Sequence, residues 1–294
     1  MNVHNRQALN ANLRETLQQT ELIPPLSETA NKLLQLRNRQ DANLEELVSV
    51  IEDDPSLAAF VMKYARMAIF GYGDRITSVT YAVSLVLGYT TALNVTLGVA
   101  SSGSLKMPDD GPLGRVRLWK DALQCAQLCR QLCRLMKKEQ CIDPDLAYLG
   151  GLLHNFGYLL VGHVCPREFA SLNEMMAHNP EQDIRPLELQ QFGITHDLVG
   201  LYLLKAWRLP EEVIMMAAKH HYPDSVGKHV IYVKVVATAN RLLHKDCITD
   251  ACEHIETSAL LEELGIGEAE AGLELEQVLA IQDELEELAR GLMA

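Results

Sequence analysis

Aromatic residues are scarce in this chain of 294 residues, at 5%. With 48% of residues hydrophobic, any core must be aliphatic, built from Leu, Ala, Val, Ile and Met. No apolar run approaches the roughly 20 residues that a membrane-spanning helix needs. The opening MNVHNRQALNANLRETLQQT is polar and lacks the apolar centre of a secretory signal. Cysteines are few and odd in number, at Cys125, Cys129, Cys133, Cys141, Cys165, Cys247 and Cys252. That pattern predicts reduced thiols and a cytoplasmic address rather than a disulfide scaffold. Also missing are GxSxG, GxxxxGK[ST], GxGxxG, HExxH and paired CxxC motifs. Their absence argues against nucleophile-elbow hydrolases, phosphate-loop and dinucleotide folds, and zinc sites recognisable by spacing alone.

Charge is present but unevenly placed. The formal net charge is −13, and residues 253–294 hold 12 acidic residues against one basic residue, Arg290. The remainder is nearly neutral, so a nucleic-acid footprint is not expected. The most basic stretch runs from Arg115 to Lys138 and includes Arg130 and Arg134. Without interleaved aromatics it reads as a solvated helix face rather than a phosphate groove.

Helical periodicity recurs along nearly the whole chain, with no alternation of strands and helices. Leu26, Ala30, Leu33 and Leu34 form one stripe behind Pro24-Pro25, with Ser27 placed to cap it. Asn43 and Glu46 resemble a capping box, and Pro55 sits where a first helical turn tolerates it. Lys106 to Gly114, KMPDDGPLG, is the clearest linker. Near the end, Val278, Ile281, Leu285, Leu288 and Leu292 follow 3-4-3-4 spacing. That seam predicts an amphipathic helix packed on the body, with a homodimer contact through residues 278–292 as the alternative. The expected fold class is all-α.

The chemistry-bearing residues are mainly the ten histidines, among them His154, His196 and the adjacent pair His220-His221. Imidazole ligates many transition metals, but no spacing here specifies a site. Cys125, Cys129 and Cys133 share one helix face, and burial as small apolar side chains is the favoured reading over a thiolate centre.

Taken in order, these segments resemble a known family. IPPLSETANKLLQ, DPSLAAFVMKYA, LWKDALQCAQLC, AYLGGLLHNFGYLL, QQFGITHDLVGLYLLKAWRLPEE, AAKHHYPD and ATANRLLH together look like an HDOD domain, a relative of the HD and HD-GYP phosphohydrolases. The resemblance covers about Leu22 to His244. It implies a two-lobed multi-helix bundle of the HD-like kind: an arm at 1–21, an HDOD domain at 22–245 with lobes 22–105 and 113–245, and acidic helices at 246–294. In catalytic HD relatives, His and Asp side chains hold one or two metals that activate water against phosphate esters. Carried over, their first His falls on or near Asp121, the His-Asp doublet on His154-Asn155, the later histidines on His196 and on His220 or His221, and the closing Asp near Asn240. An amide cannot bridge two cations as an anion. The expectation is therefore a non-catalytic bacterial signalling protein that binds a partner protein or a small ligand such as a nucleotide, with no cofactor and no catalytic residue. His154, Asn155, His196, His220 and His221 are the candidate pocket residues. The alternative is a phosphohydrolase with a degenerate site, in which His154, His196, His220, His221 and Asp121 hold one Fe, Mn or Zn ion.

Overall fold

A computed structural model describes residue 17 and residues 22–137, 142–179, 182–243 and 256–292. Among these residues there are helices and turns but no strand. The first half comprises α1 (Glu28–Asn38), α2 (Leu44–Glu52), α3 (Pro55–Arg66), the short α4 (Val79–Tyr81) and α5 (Tyr89–Ser102). The second comprises α6 (Arg115–Leu135), α7 (Pro144–Leu153), α8 (Phe156–Val164), α9 (Pro166–His178), α10 (Ile184–Phe192), α11 (His196–Ala206), α12 (Glu211–Lys219) and α13 (Val230–Leu243). The acidic tail adds α14 (Thr257–Leu264), α15 (Glu268–Leu279) and α16 (Gln282–Gly291).

Local chemistry sets the helix starts. Ser27 Oγ accepts from Ala30 N at 3.1 Å, and Asn43 Oδ1 accepts from Glu46 N at 3.0 Å. Asp54 Oδ1 accepts from the Ser56 and Leu57 amides, with Pro55 in the first turn where its missing N–H costs nothing. The Asn43 box is not reciprocal as expected: the Glu46 carboxylate takes the Asn43 side-chain amide and Arg39 instead. After α4 the chain winds wider, as a π-helix over Ala82–Leu87 that Gly88 ends at φ 77°. Periodicity could announce a helix there but not its winding.

α6 is the central post. α7, α13, α15 and α16 all pack on it. Its cysteines lie inside, Cys125 at 1% exposure, Cys129 at 0% and Cys133 at 5%. The basic stretch keeps Arg117, Arg134 and Lys137 exposed, as expected of a solvated face, but departs from it at Arg130. Arg130 is buried, donating to Thr91 Oγ1 and Gln127 Oε1, both at 2.8 Å, with its guanidinium over the Tyr148 ring. Neutral oxygens and a π-face there replace the water that a guanidinium otherwise needs. One large apolar cluster runs through α1–α5, the buried side of α6, α7–α12 and α16, so both halves share a core. A second cluster joins α6, α13, α14 and α15. The linker 106–114 separates α5 from α6 in sequence.

The tail seam is not one helix. It breaks at Ala280-Ile281 between α15 and α16. Val278 enters the second cluster, while Ile281, Leu285 and Leu288 enter the first. The break lets one short segment seal two cores. Its apolar side chains are spent inside this chain, and Glu284 Oε2 accepts from the Ala68 amide at 2.9 Å.

Gly272 lies within α15, and a Cβ there would meet nothing within 4 Å. Gly272→Ala should therefore stabilise the chain by about 0.5–1 kcal/mol, as helix propensity dictates. Equilibrium chemical denaturation checks this, with a rise in midpoint at unchanged slope expected.

Candidate functional site

The GLLHNFGY stretch holds the junction of two helices. α7 ends at Leu153, His154 follows in αR conformation, and Asn155 (φ −99°, ψ 12°) opens α8. Glycines permit the tight packing around it. A Cβ on Gly151 would lie 2.9 Å from Ala126 Cα on α6. A Cβ on Gly157 would lie 2.0 Å from the His196 carbonyl oxygen and 2.9 Å from Gly200 N, both on α11. α8 and α11 therefore meet backbone to backbone, which sets His196 beside the α7–α8 junction. His220 caps the C-terminal end of α12, with His221 next in the chain.

Three imidazoles converge. One ligand atom from each of His196, His220 and His221 lies within 4.8 Å of the other two. His196 Nε2 is 3.1 Å from His220 Nε2 and 3.1 Å from His221 Nε2. His154 stands edge-on to His220, ring centroids 5.1 Å apart, but outside that group of atoms. All four are buried, at 1–4% exposure. Asp121 is also buried and outside the group, its Oδ2 3.8 Å from Arg117 Nε one turn earlier on α6.

Hydrogen bonds fix the tautomers. His154 Nδ1 faces Gly151 O at 2.7 Å, and His220 Nδ1 faces Ala217 O at 2.9 Å. A carbonyl oxygen only accepts, so each Nδ1 donates and each Nε2 of the neutral ring carries a lone pair. His196 Nδ1 is 2.7 Å from Glu188 Oε1, and Glu188 Oε2 accepts from His196 N at 3.1 Å. Glu188, at 1% exposure, thus holds His196 through both ring and backbone. Two Nε2 lone pairs at 3.1 Å repel unless a shared proton or a metal cation lies between them. Tetrahedral zinc with nitrogen at about 2.0–2.1 Å places its ligand nitrogens about 3.3 Å apart, close to the two separations from His196, so the three imidazoles could converge on one such ion. The carboxylate behind His196 is the orienting partner that metal-bound imidazoles ordinarily have.

Burial pushes both His220 and His221 well below the usual histidine range. For His220 the neighbouring His221, His154 and His196 add to this, and for His221 the neighbours are His196, Arg185 and His154. The rings are neutral at pH 7, the state in which imidazole ligates. Asn240, on α13, accepts from Cys125 Sγ at 3.3 Å. Burial pushes that thiol well above its ordinary value, with Cys129 adding to the shift. Around the rim, Tyr158 stacks on His196 with centroids 4.2 Å apart, and Arg185 lies over the half-exposed Tyr222 ring, 4.0 Å from the buried Asp197. Glu188, Arg185, Asp197 and Tyr158 were not anticipated from sequence. Glu188 sits eight residues before His196 with no periodic or motif signal, and only the turn between α10 and α11 joins them.

An all-α scaffold that gathers histidines from three helix ends into a sealed cluster defines an HD-like class of protein. The HDOD domain model matches residues 23–223, and the chain belongs to the HDOD family. A candidate signal transduction protein from Marinobacter aquaeolei VT8 is 32% identical, with a TM-score of 0.80 over 96% of this chain and 61% of that one. An HDOD domain protein of unknown function from Geobacter sulfurreducens gives 20% identity and a TM-score of 0.71, covering 96% and 99% of the two chains. A candidate phosphohydrolase from Shewanella amazonensis SB2B gives 20% and 0.72, covering 96% and 98%. An uncharacterised protein of Treponema pallidum is 28% identical over 224 residues, which is 74% of this chain and 42% of that protein. The chain thus spans under two thirds of the Treponema and Marinobacter chains.

Two outcomes follow from this geometry. His220 and His221 titrate lower in the folded chain than the 6.5 of a free histidine. Below that value the unfolded chain gains protons that the folded one refuses, so stability is full above pH 6.5 and falls as pH drops. Each site contributes a slope of at most about 1.4 kcal/mol per pH unit. Thermal melts with chelator between pH 7.5 and 5.5 should show this, and His220→Gln should flatten it. Separately, Gly157→Ala must part α8 from α11 and should cost about 1–3 kcal/mol or more, measured by chemical denaturation.

Proposed function

We propose that this chain is a regulatory HDOD protein that works by binding a partner protein or small ligand and does not hydrolyse phosphate esters. One observation carries the reading. The two positions at which the HD resemblance calls for carboxylates hold amides, Asn155 and Asn240, and the Asn240 oxygen is taken by the Cys125 thiol. Two anions are thereby lost from a centre that would need them to hold and bridge two cations. Sealing supports the same reading. His154, His196, His220 and His221 are at 1–4% exposure, so the rings themselves offer little surface to a phosphate ester. The Marinobacter chain, described as a candidate signal transduction protein, is consistent with it.

The convergent Nε2 atoms favour a second reading, a metal-dependent phosphohydrolase with an altered ligand set. His196, His220 and His221 would hold one divalent transition metal, whose chemistry is Lewis-acid activation of water. Glu188 would orient His196, and Tyr158 would cover it. Elemental analysis and turnover separate the readings. The full chain, reconstituted with Mn, Fe or Zn, is expected to bind at most one ion and to cleave p-nitrophenyl phosphate and its diester no faster than His154→Ala. Metal-dependent turnover abolished by His154→Ala and by chelation would establish the hydrolase instead.

A further inference from the structure

A cleft of about 220 Å³ lies between α3 and α16, and none of its lining residues belongs to the histidine site. Each wall carries one sign of charge. Lys63 and Arg66 stand three residues apart in the last turn of α3, and Glu284 and Glu287 three residues apart on α16, so each pair shares a helix face. Met67 and Leu288, both buried, add one apolar side chain from each wall. Residues 282–291 lie outside the 23–223 matched to the family, so half of this cleft is built from sequence beyond the matched domain.

The two signs face each other without pairing. None of the four charged side chains forms a salt bridge among the described residues. Two of them are tied to backbone groups instead. Arg66 donates to Ile76 O from Nε at 3.1 Å and from a terminal nitrogen at 2.6 Å, and Glu284 Oε2 accepts from Ala68 N at 2.9 Å. Lys63 is placed by α16 itself: a Cβ on Gly291 would lie 3.2 Å from Lys63 Nζ, which sets the ammonium at the C-terminal end of that helix, where a cation is favoured. Closing the cleft by pairing Arg66 with Glu284 would break backbone bonds on both walls, so the opposed charges are held ready for a bridging group. A simple anion in this cleft meets two glutamates, and a simple cation meets a lysine and an arginine. A molecule carrying both signs satisfies both walls. The volume equals roughly seven waters at about 30 Å³ each, the scale of a small metabolite rather than a peptide.

We propose that this cleft binds a free α-amino acid with an aliphatic side chain. Its carboxylate faces Lys63 and Arg66, its ammonium faces Glu284 and Glu287, and its side chain lies on Met67 and Leu288. The bound molecule ties α16 to α3 and so fastens the acidic tail to the first half of the chain. The site stands on this cleft alone. Hydrolysis at the histidine cluster would leave it intact, and its failure would leave the regulatory reading intact.

Isothermal titration of the full chain with L-leucine is the test. Leucinamide, which lacks the carboxylate, and isocaproate, which lacks the ammonium, are the controls. Leucine is expected to bind in the millimolar range or tighter, and each control at least tenfold more weakly. Lys63→Gln and Glu287→Gln each remove one charge from an exposed side chain and leave the Arg66 and Glu284 backbone bonds in place. Each is expected to weaken leucine tenfold or more, while its thermal melt without leucine matches the parent chain. Absence of leucine binding, either control binding within twofold of leucine, or both variants binding leucine within twofold of the parent overturns the site.

Discussion

The histidine cluster depends on one close approach, that of α8 to α11 at Gly157. The His196 carbonyl occupies the space where any other residue would carry its Cβ. Without that contact, His196 would stand further from the α7–α8 junction, and its Nε2 could not share a focus with those of His220 and His221. The cluster is thus a consequence of backbone packing before it is a matter of side-chain chemistry. Gly151 plays the same part against α6 on the other side of His154.

Burial then determines what the gathered rings can be. Out of water, and next to one another, they cannot all charge, so His220 and His221 stay neutral. Carbonyl oxygens and the Glu188 carboxylate hold the Nδ1 protons and turn the Nε2 lone pairs inward. This is the electronic state that suits a cation. Asn155 and Asn240 add neutral amides beside them and no charge. The proposed regulatory reading rests on this combination of neutral imidazoles and neutral amides.

Much of the architecture was legible beforehand. The all-α class followed from helical periodicity, and the starts at Ser27, Asn43 and Asp54 followed from side chains that cap locally. The HDOD relationship followed from an ordered series of short motifs, and the family match covers residues 23–223. Features that depend on partners distant in sequence were not legible. Arg130 looked solvated because no aromatic interleaves with the basic stretch, yet Thr91 and Tyr148 take it inside. The tail seam looked continuous because its spacing is continuous, yet two separate cores draw it apart at Ala280-Ile281.

The sequence by itself determined the helical class, the caps and the histidines present, because each is a property of residue type or of spacing within a few turns. Tertiary structure alone decided which histidines share a focus, that Glu188 supports His196, that Asp121 falls outside the three-imidazole group, and that Leu85 faces water. Those outcomes hang on where helix axes cross. Crossing positions are set by close-packed side chains and glycines many residues apart, and no local pattern encodes them.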